Sequence, residues 1–163
     1  MRDYASAVAL LNTGVNRIVI GTAAHEQPEL VDQLAREFPG RIAVGLDARR
    51  GIVATRGWVE GSGVSTLDLV KRFDNAGVSA FIVTDIDRDG TLEGPDIAGL
   101  SAVLGATSVD VIASGGVGTV DDLRKLAAVN VDGKRLAGVI TGKAIYEKKF
   151  SVAEALDVLK VVA

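Results

Sequence analysis

Short β-branched runs alternate with helical patterns along this chain, and that alternation constrains its fold more than any other feature. The runs are Arg17–Gly21, Arg41–Asp47, Ala80–Asp85, Val109–Ser114 and Ala137–Gly142. Each is apolar throughout rather than at every second position, as befits strands covered on both faces of a parallel sheet. Between them lie helical patterns. Pro28 stands at the start of one, with Leu30, Val31, Leu34 and Phe38 as its apolar stripe. Ser65 or Thr66 can cap the next, where Leu67, Val70 and Phe73 face inward, and Thr119 with Asp122 gives a start resembling a capping box. A leading helix over Asp3–Leu11 and a closing one over Val152–Val161 complete the pattern. The expectation is one α/β domain over residues 1–163, a leading helix followed by five parallel βα units with right-handed crossovers.

Five such units are three short of a closed (βα)8 barrel, whose norm is about 250 residues and eight strands. Two architectures are therefore open: a partial TIM barrel made of the last five units, or an open doubly wound sheet. An internal repeat favours the first. Val117–Leu126 leads to Gly138–Ala144, and Met1–Leu10 leads in the same way to Arg17–Ala23. The later copy follows a strand and a glycine pair, Val111–Gly116, whereas the early copy has no strand before it. Repeated units of this size need neighbours to bury their faces.

Composition narrows the function classes. Net charge is −3 with scattered basic residues, so no electrostatic footprint for nucleic acid is present. Cysteine is absent, which removes disulfides, thiolate catalysis and sulfur-bound zinc. No apolar run approaches membrane-spanning length and the first residues carry no signal-peptide pattern, so a cytoplasmic protein away from membranes is expected.

In parallel α/β sheets ligands bind at the carboxyl ends of strands, and the residues there carry chemistry. The second strand ends in Asp47, the third in Thr84 and Asp85 with Asp89 and Gly90 beyond, the fourth in Ser114-Gly115-Gly116 and the fifth in Gly142-Lys143-Ala144. Gly115 and Gly116 admit a close anion, with the N-terminus of the following helix behind them, and Gly142 to Ala144 repeat the signature. Tight turns alone would also use these glycines; the two adjacent strand ends together point to phosphate. Asp47 suits general acid–base work or, alternatively, a structural pairing with Arg49 or Arg50. Thr84 can hydrogen-bond a neighbouring carboxylate or simply pack. The Asp85–Thr91 stretch lacks the closing glutamate of a calcium loop, so no metal is expected. Arg56 and Trp58 lie on a loop after the second strand and can hold a planar ring and its charge, or tuck into the loop itself. His25 has no partner acid at recognisable spacing and reads as a surface residue.

Taken in order, Gly45-Leu-Asp47, Thr55-Arg-Gly-Trp58, Ser62-Gly63, Val83-Thr-Asp-Ile86 with Asp89-Gly-Thr91, Ile112–Val117 and Gly142-Lys-Ala144 resemble the motifs of the phosphoribosylformimino-aminoimidazole carboxamide ribotide isomerase family of histidine biosynthesis. The Arg-Gly-Trp and Ala-Ser-Gly-Gly-Val elements are similar to the actinobacterial bifunctional form, which also isomerises phosphoribosylanthranilate in tryptophan biosynthesis. The resemblance covers the whole chain. It implies an Amadori rearrangement of an aminoaldose ribotide (ProFAR) to an aminoketose, without cofactor or metal. By the family's motifs Asp89 and Asp47 are the acid-side and supporting carboxylates and Thr84 their hydrogen-bond partner. Arg56 and Trp58 hold the aglycone, and Gly115, Gly116, Gly142 and Lys143 hold one phosphate through main-chain contacts. The family's first-strand aspartate has no counterpart, and of its Gly-Gly-Gly-Ile-Arg phosphate loop only Arg2 remains. The expectation is a C-terminal portion of the isomerase, inactive or weakly active alone, that forms a homodimer or higher oligomer through its sheet edges. A non-catalytic phosphate-binding half-barrel, and a chain completed by a separate N-terminal piece, are the rival readings.

Overall fold

The computed structural model describes residues 3–55 and 60–160. Seven strands form one sheet: β1 (Ile18–Ile20), β2 (Ile42–Arg49), β3 (Ile52–Thr55), β4 (Glu60–Ser65), β5 (Ala80–Asp85), β6 (Val111–Ser114) and β7 (Gly138–Ile140). The helices are α1 (Tyr4–Asn12), α2 (Thr22–Glu26), α3 (Pro28–Glu37), α4 (Thr66–Phe73), α5 (Ile97–Ala106), α6 (Val120–Ala128), α7 (Lys143–Tyr146) and α8 (Val152–Lys160).

All five expected strands are present, and all their pairings are parallel, in the order β1-β2-β5-β6-β7. A doubly wound sheet reverses its strand order at a switch point. This one advances in chain order from edge to edge, which removes the doubly wound alternative. The sheet is nevertheless open: among the described residues β1 pairs only with β2, and β7 only with β6.

The count of five strands needs correction to seven. β2 runs two residues past Asp47, and Arg50 and Gly51 then turn the chain back with φ of 50° and 78°. Positive φ at both central residues is the requirement of a two-residue type I′ hairpin turn. Ala48 pairs with Val53 and Arg49 with Ile52, so β3 and then β4 continue antiparallel from the carboxyl end of β2. The segment expected as a loop is thus flanked by a hairpin. Arg56 and Trp58 lie outside the described residues.

Helix starts follow local chemistry. The Asp3 carboxylate accepts from the Ser6 N–H at 2.8 Å, Ser65 caps α4 through the Leu67 N–H, and Thr119 and Asp122 form a complete capping box on α6. The Arg41 guanidinium donates to the Leu11 and Val15 carbonyls, seating the end of α1 beside β2.

Strand register separates two faces. Val44, Phe81 and Val111 form one row, and Leu46, Val83, Ala113 and Val139 the next but one, all sharing a face. That face packs against the helices and contributes to the core with Leu34, Val70, Phe73 and Leu123. The opposite face carries Val19, Ile82, Ile112 and Ile140, none of which belongs to the core cluster or packs on it. Val19 is 46% exposed and Ile140 47%. Parallel sheets ordinarily have both faces covered; in this one the helices cover a single face.

Candidate functional site

The residues singled out from the sequence converge on the carboxyl ends of β2, β5, β6 and β7. Asp47, Thr84, Ser114 and Ile140 are successive register partners, so one row crosses four strands on the uncovered face. Thr84 is buried between its two neighbours, and Asp47 is half-buried. Asp47 and Ser114 stand two strand spacings apart, about 10 Å. Arg49, one of the two arginines considered as partners for Asp47, forms an ion pair with Asp87 at 2.7 Å.

Asp89 reaches the site from a loop between β5 and α5. The Asp89 N–H donates to the Asp85 carbonyl at 2.9 Å, Arg88 pairs with the Asp85 carboxylate, and the Arg88 guanidinium donates to the Gly94 carbonyl. The stretch that superficially resembled a cation loop is therefore folded by its own turns and one arginine. Among the described residues no group of three or more His, Asp and Glu is arranged to hold a metal.

This loop lies directly on the glycines after β6. A methyl group on Gly115 would stand 3.3 Å from the Cα and Cβ of Asp89; on Gly116 it would meet the Gly94 carbonyl oxygen at 2.3 Å, and on Gly118 the Leu92 carbonyl oxygen at 2.3 Å. Gly94 also donates its N–H to the Gly116 carbonyl at 2.9 Å. Gly116 and Gly118 thus have a packing reason that sequence reading did not supply: they let the Asp89 loop approach. Their φ values differ in meaning, since Gly116 sits at 81°, a conformation that suits glycine, while Gly118 answers only to crowding.

Between this loop, the glycines and the start of α7 lies a cavity of about 220 Å³, lined among others by Asp89, Gly90, Ser114, Gly115, Gly116, Thr141, Gly142 and Lys143. Gly115, Gly116 and Gly142 present main chain to this cavity with no side chain in the way. Thr141, which sequence reading missed, has a buried hydroxyl oxygen without a hydrogen-bond partner. Its signal was weak, a threonine inside a strand run. Lys143 sends its ammonium to the Gly90 carbonyl at 2.7 Å, with Glu147 at 3.7 Å.

One expected contribution is already spoken for. The N-terminus of α6, which was to face the anion, is closed by its own Asp122, whose carboxylate accepts from the Gly118 and Thr119 N–H groups and the Thr119 hydroxyl. Burial pushes that carboxyl up, but the hydrogen bonds from Gly118, Thr119 and Lys125 outweigh it and hold Asp122 below the usual carboxylate range. His25 sits half-buried on α2 and does not line this cavity.

These features define an α/β protein of parallel βα units, with a glycine-lined cavity beside a row of polar groups at the carboxyl ends of its strands. A family model described as "Histidine biosynthesis protein" matches residues 1–151, and the chain belongs to that family. Curated relatives include proteins of Dinoroseobacter shibae, 51% identical over 159 residues, and of Geobacter sulfurreducens, 48% identical over 160; both alignments cover 98% of this chain and 65% of the relative. A protein of Parvibaculum lavamentivorans is 48% identical over all of this chain and 66% of its own length. All three are named 1-(5-phosphoribosyl)-5-((5-phosphoribosylamino)methylideneamino) imidazole-4-carboxamide isomerase. The chain spans less than two thirds of the length of these relatives.

Proposed function

We propose that the chain carries the acid side and one phosphate subsite of an aldose–ketose isomerase acting on a phosphoribosyl aminoimidazole substrate in histidine biosynthesis. The observation that supports it best is the juxtaposition at the strand ends. A carboxylate (Asp89) borders a cavity lined by glycine main chain and an orphaned hydroxyl, and a second carboxylate (Asp47) stands in the adjoining row. Glycine amides at Gly115, Gly116 and Gly142, with the Thr141 hydroxyl, suit the oxygens of a phosphate monoester. That anchors the sugar with its C1′ toward the acids.

The chemistry is an Amadori rearrangement. Asp89 protonates the ring oxygen as the furanose opens to an imine, a base removes the C2′ proton, and the enolamine collapses to the aminoketose. Asp47 supports the acid electrostatically and Thr84 orients it. Arg56 and Trp58 hold the aglycone in this reading.

These residues act as the C-terminal portion of a (βα)8 barrel, and the base comes from βα units outside them. Two features support this: the edge-to-edge strand order and the uncovered face that carries Asp47. A single positioned proton-transfer group contributes roughly 10²–10⁴-fold, so the chain alone is inactive or nearly so.

The test is an isomerisation assay of the purified chain with Asp47→Asn and Asp89→Asn beside it. Absent turnover in the folded chain, recovered when βα units from a relative are co-expressed, is the expected result. Turnover by the chain alone, lost in either variant, overturns the need for a partner but keeps the isomerase. Turnover that neither substitution disturbs overturns the assignment of the acids.

A further inference from the structure

The loop that carries Asp89 is gripped from two sides. On one side the grip is close packing and one main-chain hydrogen bond: Gly115, Gly116 and Gly118 touch the main chain of Asp89, Gly94 and Leu92 with no room for a methyl group at the last two contacts, and Gly94 donates its N–H to the Gly116 carbonyl. On the other side the grip is a single charged bond, from the Lys143 ammonium to the Gly90 carbonyl at 2.7 Å, spanning 53 residues of sequence. Gly90 and Lys143 both line the cavity, and Lys143 belongs to α7 at its rim. Its side chain is half exposed, with no part in the core.

An ammonium has three donors. One is used on Gly90, and Glu147 at 3.7 Å is beyond hydrogen-bond distance, so two donors remain for an incoming ligand. A phosphate monoester carries close to two negative charges near neutral pH. It would draw those donors inward without requiring the bond to Gly90 to break.

We propose that Lys143 is a positioning residue, whose ammonium bridges a bound phosphate and the Gly90 carbonyl so that filling the cavity fixes the loop bearing Asp89. The proposal rests on the phosphate reading of this cavity and adds a role for the lysine side chain, where only its main chain had been implicated. Binding of the remote phosphate and placement of the acid thereby become one event, and a substrate lacking the phosphate leaves the acid unset.

Inorganic phosphate titrated into the ¹⁵N-labelled full chain tests it, with Lys143→Met and Lys143→Arg as variants. In the unaltered chain the amide signals of Gly115, Gly116 and Gly142 and those of Asp89 to Thr91 should follow phosphate with one common Kd. In Lys143→Met the glycine signals still respond, at a Kd weakened about tenfold by loss of a charge-assisted contact, while Asp89 to Thr91 no longer follow. Arginine, which also offers a cationic donor to both groups, restores the coupling. Loop signals that track phosphate equally well in the methionine variant overturn the proposal, as does a chain whose loop never responds. Failure of the isomerase reading looks different: turnover of the completed enzyme would survive Asp89→Asn whatever the coupling shows.

Discussion

Gly116 and Gly142 look alike in the sequence, each a glycine just past a strand, yet a methyl group would meet very different surroundings at the two. At Gly116 it would lie 2.3 Å from the Gly94 carbonyl oxygen and on a backbone with φ of 81°, whereas at Gly142 it would meet nothing within 4 Å. Gly116→Ala should therefore destabilise the chain by on the order of 3 kcal/mol, from left-handed strain and displacement of the Asp89 loop together. Gly142→Ala should leave the denaturation midpoint nearly unchanged while weakening phosphate stabilisation, because it fills the cavity rather than the fold. Urea melts of both variants with and without phosphate decide the matter; equal midpoints in the absence of phosphate would show that the loop does not rest on Gly116 as described.

Among the elements, α6 makes its own cap, and this gives an acid-sensitive contribution to stability. Because the folded pKa of Asp122 lies below its unfolded value, its contribution is fully present above the ordinary carboxylate pKa, about 4, and is lost as pH falls through the folded value. Asp122→Ala should cost about 1 kcal/mol at neutral pH, with the gap to the parent chain narrowing below about pH 4. Thermal melts between neutral pH and acid pH check it; a constant gap would mean that the charged carboxylate is not what caps α6. This helix was legible in the sequence because Thr119 and Asp122 have fixed spacing, and the five parallel strands were legible because their apolar runs are unbroken. The β3–β4 hairpin was not. The turn that leads into it from β2 is Arg50-Gly51 rather than the usual Asn-Gly or Asp-Gly, and β4 reads Glu-Gly-Ser-Gly-Val-Ser, without alternation. α2 and α7 were missed for a different reason, since five and four residues are too few to show a helical period. The site was legible as strand ends, but the packing of the Asp89 loop on Gly116 and Gly118 is a contact between distant segments that no local pattern encodes.

At the scale of the whole molecule, the exposed large apolar side chains are not spread evenly. Apart from Ile52, those among the described residues are Leu10 and Val19 near the β1 edge, and Ile140, Tyr146, Val152 and Leu156 near the β7 edge. The two edges also present strand main chain with no partner among the described residues, and unpaired edges invite another chain to add on. Because all the strands that reach these edges run parallel, β7 of one copy can pair with β1 of the next without reversing direction. Such a contact is heterologous, and closes only if the rotation between copies allows a ring. The expectation is a homodimer or higher closed oligomer in which the uncovered faces meet, shielding Val19, Ile82, Ile112 and Ile140 from water. Light scattering at low micromolar concentration should report at least a dimer, and Val19→Lys combined with Ile140→Lys should return it to monomer by placing charge on both edges. A parent chain that is monomeric under those conditions would rule out self-completion and leave βα units outside these residues as the way this sheet is closed.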